Sequence, residues 1–333
     1  MLAIRRILVA VKDLGAPGRP AVRKAAQIAQ ASNAQLELFH SLATPLYADL
    51  AIGSNEGLEG LERTVRQNAL RRLERIASAL RKHHIKVSVA AEWDYPVYDA
   101  IIRRAVRIKA DLIVAAAHAG SHLMPGLMRL TDWELVRLSP MPLLLVKTSR
   151  PYRRPAVLVA VDPAHAFAKP LKLDQALLKA GRTLSRELGG TLHTVYAYWP
   201  LPSAAMPPQA MALASHAVQK LQRQARRNAE AELTRALRGT GIPLSQRYLI
   251  GRHPVDAILQ AARKSHSAIV VMGAISRSGF KRLLIGNTAE TILDETRCDI
   301  LVIKPAHFQN RVPRSVRGAR VVMPMPSGWP GYY

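Results

Sequence analysis

Gly273, Ser276, Arg277, Gly279, Gly286, Asn287 and Thr288 fall inside one stretch, AIVVMGAISRSGFKRLLIGNTAE over residues 268–290. Their types suit one chemistry, the holding of a phosphate. Glycine lets a ligand approach the backbone closely. A serine hydroxyl and an arginine guanidinium bind phosphate oxygens. Asn287 with Glu290 three residues later has the spacing of a capping box, so a helix should open there and turn free N–H groups and a positive dipole end toward an anion. Arg277 and Lys281 lie close enough to pair with phosphates, although solvated surface is the plainer reading of both. Asp162 directly follows the apolar run Val157 to Val161. That is the carboxyl end of a strand, where ligands of doubly wound sheets sit. The plainer reading of Asp162 is an Asx turn with Pro163.

The elements that must position these residues alternate between two periodicities. Ile269 to Met272 is a β-branched run of strand length, of the kind buried on both faces of a parallel sheet. The first half reads strand–helix throughout. Strands are predicted at Ile7 to Val11, Gln35 to Leu42, Ile85 to Ala91, Leu112 to Ala116 and Pro142 to Val146. Helices are predicted at Ala21 to Ala31, Leu61 to Lys82, Pro96 to Ile108 and after Thr131, with Leu61, Val65, Leu73, Ile76 and Leu80 as the apolar face of the second. The second half repeats this plan. Val157 to Val161 matches Ile7 to Val11, Val255-Asp256-Ala257-Ile258 matches Tyr98-Asp99-Ala100-Ile101, and Leu301 to Lys304 matches Leu144 to Lys147. Such a duplication predicts two α/β domains, each a doubly wound five-stranded parallel sheet with helices on both faces. The boundaries follow: a first domain over 1–147, a linker over 148–155, a second domain over 156–305, and a basic tail over 306–333.

These motifs resemble the nucleotide-binding universal stress proteins, which carry Gly-x2-Gly-x9-Gly-(Ser/Thr/Asn) at this place. Gly273, Ser276 and Gly286-Asn287 stand in that register, with Ser276 in place of the middle glycine, and Leu301 to Pro305 stand as the usual last strand. The resemblance covers both halves, and the Thr131-Asp132-Trp133 stretch is similar to that of the E-type two-domain members. It implies a cytoplasmic, non-catalytic role in tolerance of stress or DNA damage, two domains paired as an intramolecular pseudo-dimer, and an ATP site (with Mg when bound). An acidic residue held against the nucleoside would be Asp162. Aligned on the first half, Gly273 faces Ala116, Ser276 faces Ala119, Gly286 faces Arg129 and Asp162 faces Lys12. The resemblance therefore places adenine nucleotide in the second domain only.

Composition bounds the alternatives. The net charge of +25 is spread as +9 over 1–150, +12 over 151–305 and +4 over 306–333. Such a field favours polyanions, nucleic acid included, though Arg-rich solvated helix faces are the simpler source. A single cysteine, Cys298, excludes an internal disulfide and suits a reducing compartment. No apolar run is long enough for a membrane span. His118 and His122 flank Gly120 without an acidic or cysteine partner at ligand spacing, which argues against zinc. Trp133 reads as a packing anchor. No nucleophile triad or paired carboxylate can be assembled from the order of residues, so a slow ATPase rests on the loop alone. The tail, with four arginines and four prolines, cannot bury a core and is expected to be mostly disordered. The order of residues leaves open whether two chains associate.

Overall fold

The computed structural model describes residues 4–16, 19–47, 57–117, 130–164, 171–198, 208–274, 287–306 and 308–322. Two compact units form. One comprises Ile4–Met141 together with the chain from Gln309 onward, the other Pro142–Phe308.

In the first unit the strands are β1 (Arg6–Ala10), β2 (Gln35–Leu42), β3 (Leu46–Tyr47), β4 (Val87–Trp93) and β5 (Leu112–Ala116). Four of them order as β4-β2-β1-β5, all parallel. Ile7, Leu8, Val9, Ile113 and Val114 have no exposed surface, because a parallel sheet covered on both faces has no solvent side. The covering helices are α1 (Pro20–Ser32), α2 (Gly57–Arg81), α3 (Val97–Arg107) and α4 (Leu130–Leu138). Pro20 supplies a ring already set at helical φ, and Asn33, at φ 52°, closes α1 in the left-handed region. The buried seam of α2 is Ala69, Leu73 and Ala77. Leu61, Val65, Ile76 and Leu80 are only half-buried. Small residues let this helix approach β4, so the larger aliphatic ones sit on its shoulders.

The second unit contains β6 (Leu143–Val146), β7 (Ala156–Val161), β8 (Thr191–Ala197), β9 (Arg247–Ile250), β10 (Ile269–Gly273) and β11 (Asp299–Ile303). Their order is β6-β11-β10-β7-β8-β9. Every neighbouring pair is parallel except β6 with β11. Leu144 lies opposite Leu301 there, which is its own counterpart in the duplication. Its helices are α5 (Leu171–Glu187), α6 (Pro208–Ala236), α7 (Pro254–Lys264) and α8 (Asn287–Glu295). A Cβ on Gly181 would run into Val159, so this glycine lets α5 seat directly on β7.

Two features depart from the expected boundaries. β6, the last strand of the first repeat, folds with the second unit, as does the linker. The tail expected to be mostly disordered has a defined place over 308–322. Its strand β12 (Val321–Val322) pairs in parallel with β3, and Leu46 N–H donates to Arg320 O at 2.8 Å. Backbone pairing and the side-chain contacts described next supply what the tail's own composition lacks.

Candidate functional site

The carboxyl ends of β7 and β10 lie side by side, since these strands pair from Ile269↔Val157 to Val271↔Val159. Asp162 leaves the end of β7 and Gly273 closes β10, so both residues arrive at one edge of the sheet. Asp162 is 7% exposed, and its N–H donates to Oδ2 of Asp174 on α5 at 2.9 Å. Asp174 is buried as well. On the next strand, Tyr196 O–H donates to Glu232 Oε2 at 2.9 Å. Burial, that hydrogen bond and the negative field of Glu232, Asp162 and Asp174 hold the Tyr196 hydroxyl well above the usual phenol range. Thr194 Oγ1, fully buried on β8, has no hydrogen-bond partner among the described residues. The end of β7 thus brings together the carboxylates of Asp162 and Asp174, groups able to accept from the hydroxyls of a nucleoside.

Helix α8 is described from Asn287 to Glu295, and the residues just before it lie outside the described ones. Ser276, Arg277, Gly279, Lys281 and Gly286 lie outside the described residues, as do the side chains of Asn287 and Thr288. His118 and His122 also lie outside them. Among the described residues no group of three or more His, Cys, Asp and Glu side chains could hold a metal. No described helix is long and apolar enough to cross a membrane.

The equivalent place in the first unit is differently furnished. Its cavity, of about 130 Å³, is bounded by Lys12, Phe39, His40, Ile101 and Thr131 among others. Lys12 is exposed after β1, and the carboxylate of Asp13 accepts from Gly15 N–H at 2.7 Å and Ala16 N–H at 3.1 Å. That acid closes its own turn. His40 Nδ1 lies 2.7 Å from Val11 O, so the neighbouring polar side chain bonds the backbone too. Trp133 is half-buried in the first turns of α4.

One polar centre escaped the sequence reading. At the end of β4, Asp94 receives Arg103 Nε and Nη2, both at 2.7 Å, and the two side chains are 1% and 3% exposed. The tail completes this centre. Arg103 Nη1 donates to Pro313 O at 3.0 Å, Arg317 N–H donates to Asp94 Oδ1 at 3.1 Å, and the Arg317 guanidinium lies 3.6 Å from Asp99. Burial raises the Asp99 carboxyl, while Arg103 and Arg317 pull it down. A signal was present: Arg103 sits among Ile101, Ile102 and Ala105, all buried, and a cation on such a face must have a partner.

The duplicated strand-end geometry can be set beside known proteins. A family model described as the universal stress protein family matches residues 3–147 and 154–304. The chain is 27% identical over 321 residues to universal stress protein E of Escherichia coli strain K12, covering 93% of this chain and 98% of that one. Universal stress protein E of Photorhabdus laumondii is 25% identical over 309 residues, at 91% and 96% coverage. Among solved structures, a functionally unknown protein of Pseudomonas aeruginosa PAO1 superposes with a TM-score of 0.68 at 24% identity, covering 92% of this chain and 94% of that one. A universal stress protein of Archaeoglobus fulgidus does so with a TM-score of 0.58 at 14% identity, covering 90% and 98%. These two likenesses speak for the fold alone. With each half matched in full and the strand order repeated, the chain belongs to the universal stress protein family and carries its domain twice.

Proposed function

We propose that this protein is a regulatory module of the stress response that binds one adenine nucleotide, in its second half. The observation that carries this reading is the meeting of Asp162 and Gly273 at adjacent strand ends. ATP is the ligand that the glycine spacing fits, with any Mg arriving on its phosphates. The described residues suit the nucleoside end: Asp162 and Asp174 supply buried carboxylate oxygens. Phosphate would be met by Gly273, Ser276, Arg277, Gly279, Gly286, Asn287 and Thr288 through backbone N–H groups and side chains. The chemistry is binding rather than turnover, and the single buried cysteine suits the cytoplasm. In the first half, Asp13 closes its own turn and Arg129 stands where the motif has glycine, which speaks against a second site.

The test is direct. Purified protein is denatured and assayed for co-purifying adenine nucleotide, and ATP is titrated calorimetrically into stripped protein. At most one nucleotide per chain is expected. Two equivalent sites, or none, would overturn the reading. Gly286→Arg should abolish binding while the far-UV spectrum stays unchanged.

A further inference from the structure

The turn from β4 into α3 and the turn from β9 into α7 are the same turn in the two repeats. Three residues separate strand from helix in each, between Trp93 and Val97 in one and between Ile250 and Pro254 in the other. Asp94 therefore corresponds to Gly251, and Arg103 to Gln260. In the first repeat this place is filled. The Asp94–Arg103 pair holds the chain's own tail by main-chain groups, Pro313 O and Arg317 N–H.

In the second repeat both members of the ion pair are absent, and no segment among the described residues fills the place. A cleft of about 390 Å³ lies there, lined by Tyr198, Arg226, Tyr248, Arg252, Gln260 and Lys264 over a floor that includes Gly251. None of its described lining residues is acidic. Arg226, Arg252 and Lys264 are exposed, and Arg247 at the rim is turned back onto Ile242 O at 2.6 and 2.9 Å. The floor is shaped by glycine: a Cβ on Gly251 would press into the Tyr198 ring, so any other residue here would displace the tyrosine. β9, which ends in this floor, is the outermost strand of its unit's sheet. The described lining is basic, whereas in the first repeat Asp94 and Asp99 receive an arginine-bearing tail; Asp256 keeps the place of Asp99 but does not line the cleft.

We propose that this cleft docks an acidic peptide segment of a partner protein. Gln260 would bond its main chain, as Arg103 does for the tail, and Arg226, Arg252 and Lys264 would select its carboxylates. Charge complementarity fixes the sign of the occupant, and the sister repeat, which holds the tail by Pro313 O and Arg317 N–H, gives the precedent for a chain segment held by its main chain at this turn. Nucleic acid is the less favoured occupant, because single strands are held by bases stacking on free aromatic faces. The rings here are engaged. Tyr198 lies against Gly251, Tyr248 stacks on His193 with centroids 6.0 Å apart, and Lys264 Nζ is 5.8 Å from the Tyr248 centroid.

The experiment measures fluorescence anisotropy of a labelled decapeptide of alternating Glu and Ser against the full chain at low salt. R252E/K264E should weaken binding at least tenfold. K82E/K86E, which changes two exposed lysines of the first unit and alters net charge equally, should weaken it less than twofold. Q260E, a single change on the exposed face of α7, should weaken it severalfold and serves if the double variant folds poorly. Equal losses in the two double variants would reduce the effect to the general field of a basic protein and overturn the proposal. So would undiminished binding by R252E/K264E or Q260E. A dT10 oligonucleotide that binds more tightly than the peptide, and loses affinity in the same variants, would replace it with a nucleic-acid site.

Discussion

The hydroxyl of Tyr152 donates to Oδ2 of Asp299 at 2.6 Å, and Asp299 has no exposed surface. Oδ1 of the same carboxylate accepts from Lys147 N–H at 2.9 Å, Thr148 N–H at 3.1 Å and Thr148 Oγ1 at 3.3 Å. One buried acid thus gathers the segment that follows β6. Burial first, then the charge and hydrogen bond of Asp299, push the Tyr152 hydroxyl well above its usual range, so it stays a donor throughout the physiological span. Lys147 adds a second tie. Its Nζ donates to the carbonyls of Leu293 and Thr296 at the end of α8, where a cation also meets the negative end of the helix dipole.

Tyr152→Phe should therefore cost roughly 1.5–3 kcal/mol, the usual worth of a hydrogen bond to a charged group. Asp299→Asn should cost more, because an amide turns donors of its own toward groups that already donate. Denaturant unfolding of the three proteins, with m unchanged, would check the order. Equal stabilities would mean that packing alone holds the segment.

The Asp94–Arg103 pair makes a second prediction. Its charges are nearly fully buried, so removing one partner leaves the other without compensation. Arg103→Met should destabilise the protein by roughly 3–5 kcal/mol. It should also expose residues 309–322 to proteases, since Arg103 carries Pro313 and its partner Asp94 carries Arg317. Truncation after Phe308 should be milder, because the bidentate pair survives it. Limited proteolysis separates the cases: cleavage confined to 309–322 in native protein would show that the tail is not held.

These two centres explain what the sequence could and could not reveal. The strands were legible because β-branched runs bounded by polar residues have no other use, and Gln35–Leu42 and Leu112–Ala116 fall where the pattern puts them. The duplication was legible through its offsets, and in the fold it reappears as Leu144 facing Leu301. The tail was not. Its residues look unstructured by composition, and what orders them lies 210 positions away in Arg103 and 223 positions away in Asp94. No local propensity encodes a contact of that separation. The apolar face of α2 is legible in part: Leu73 is fully buried as expected, while close approach to β4 puts Ala69 and Ala77 beside it in place of the larger Leu61, Val65, Ile76 and Leu80.

Lys304 offers a pH-dependent test. It leaves the end of β11 with its ammonium 4.8 Å from the centre of the Phe308 ring, and burial pushes its pKa down to about 8 from 10.5. A lysine whose folded pKa is lower than its unfolded one destabilises the fold while both states are protonated, below about pH 8. The penalty fades as pH rises between the two values, where the unfolded chain binds more protons than the native one. Lys304→Met should thus raise Tm by a few degrees at pH 7. The gain should shrink toward zero by pH 10.5. A gain independent of pH would assign the effect to packing against Phe308.

The nucleotide reading makes the last prediction, through two residues with opposite expected effects. Asp162 stands buried at the strand end with its N–H on Asp174, in the place from which a carboxylate would meet the nucleoside. Asp162→Asn keeps the shape and removes the charge-assisted acceptor, so it should weaken ATP binding about tenfold, the equivalent of roughly 1.4 kcal/mol. Ser276 stands where the family motif has its middle glycine. If the bound loop needs positive φ there, serine costs on the order of 1 kcal/mol, and Ser276→Gly should tighten ATP binding about fivefold. If the loop keeps negative φ, the serine hydroxyl donates to a phosphate and the same substitution weakens binding. Calorimetry on both variants distinguishes these outcomes. Loss at Asp162 with a gain at Ser276 gives a working site detuned by its serine. No heat in wild type or in either variant gives a vestigial loop, in a protein that acts through its surfaces.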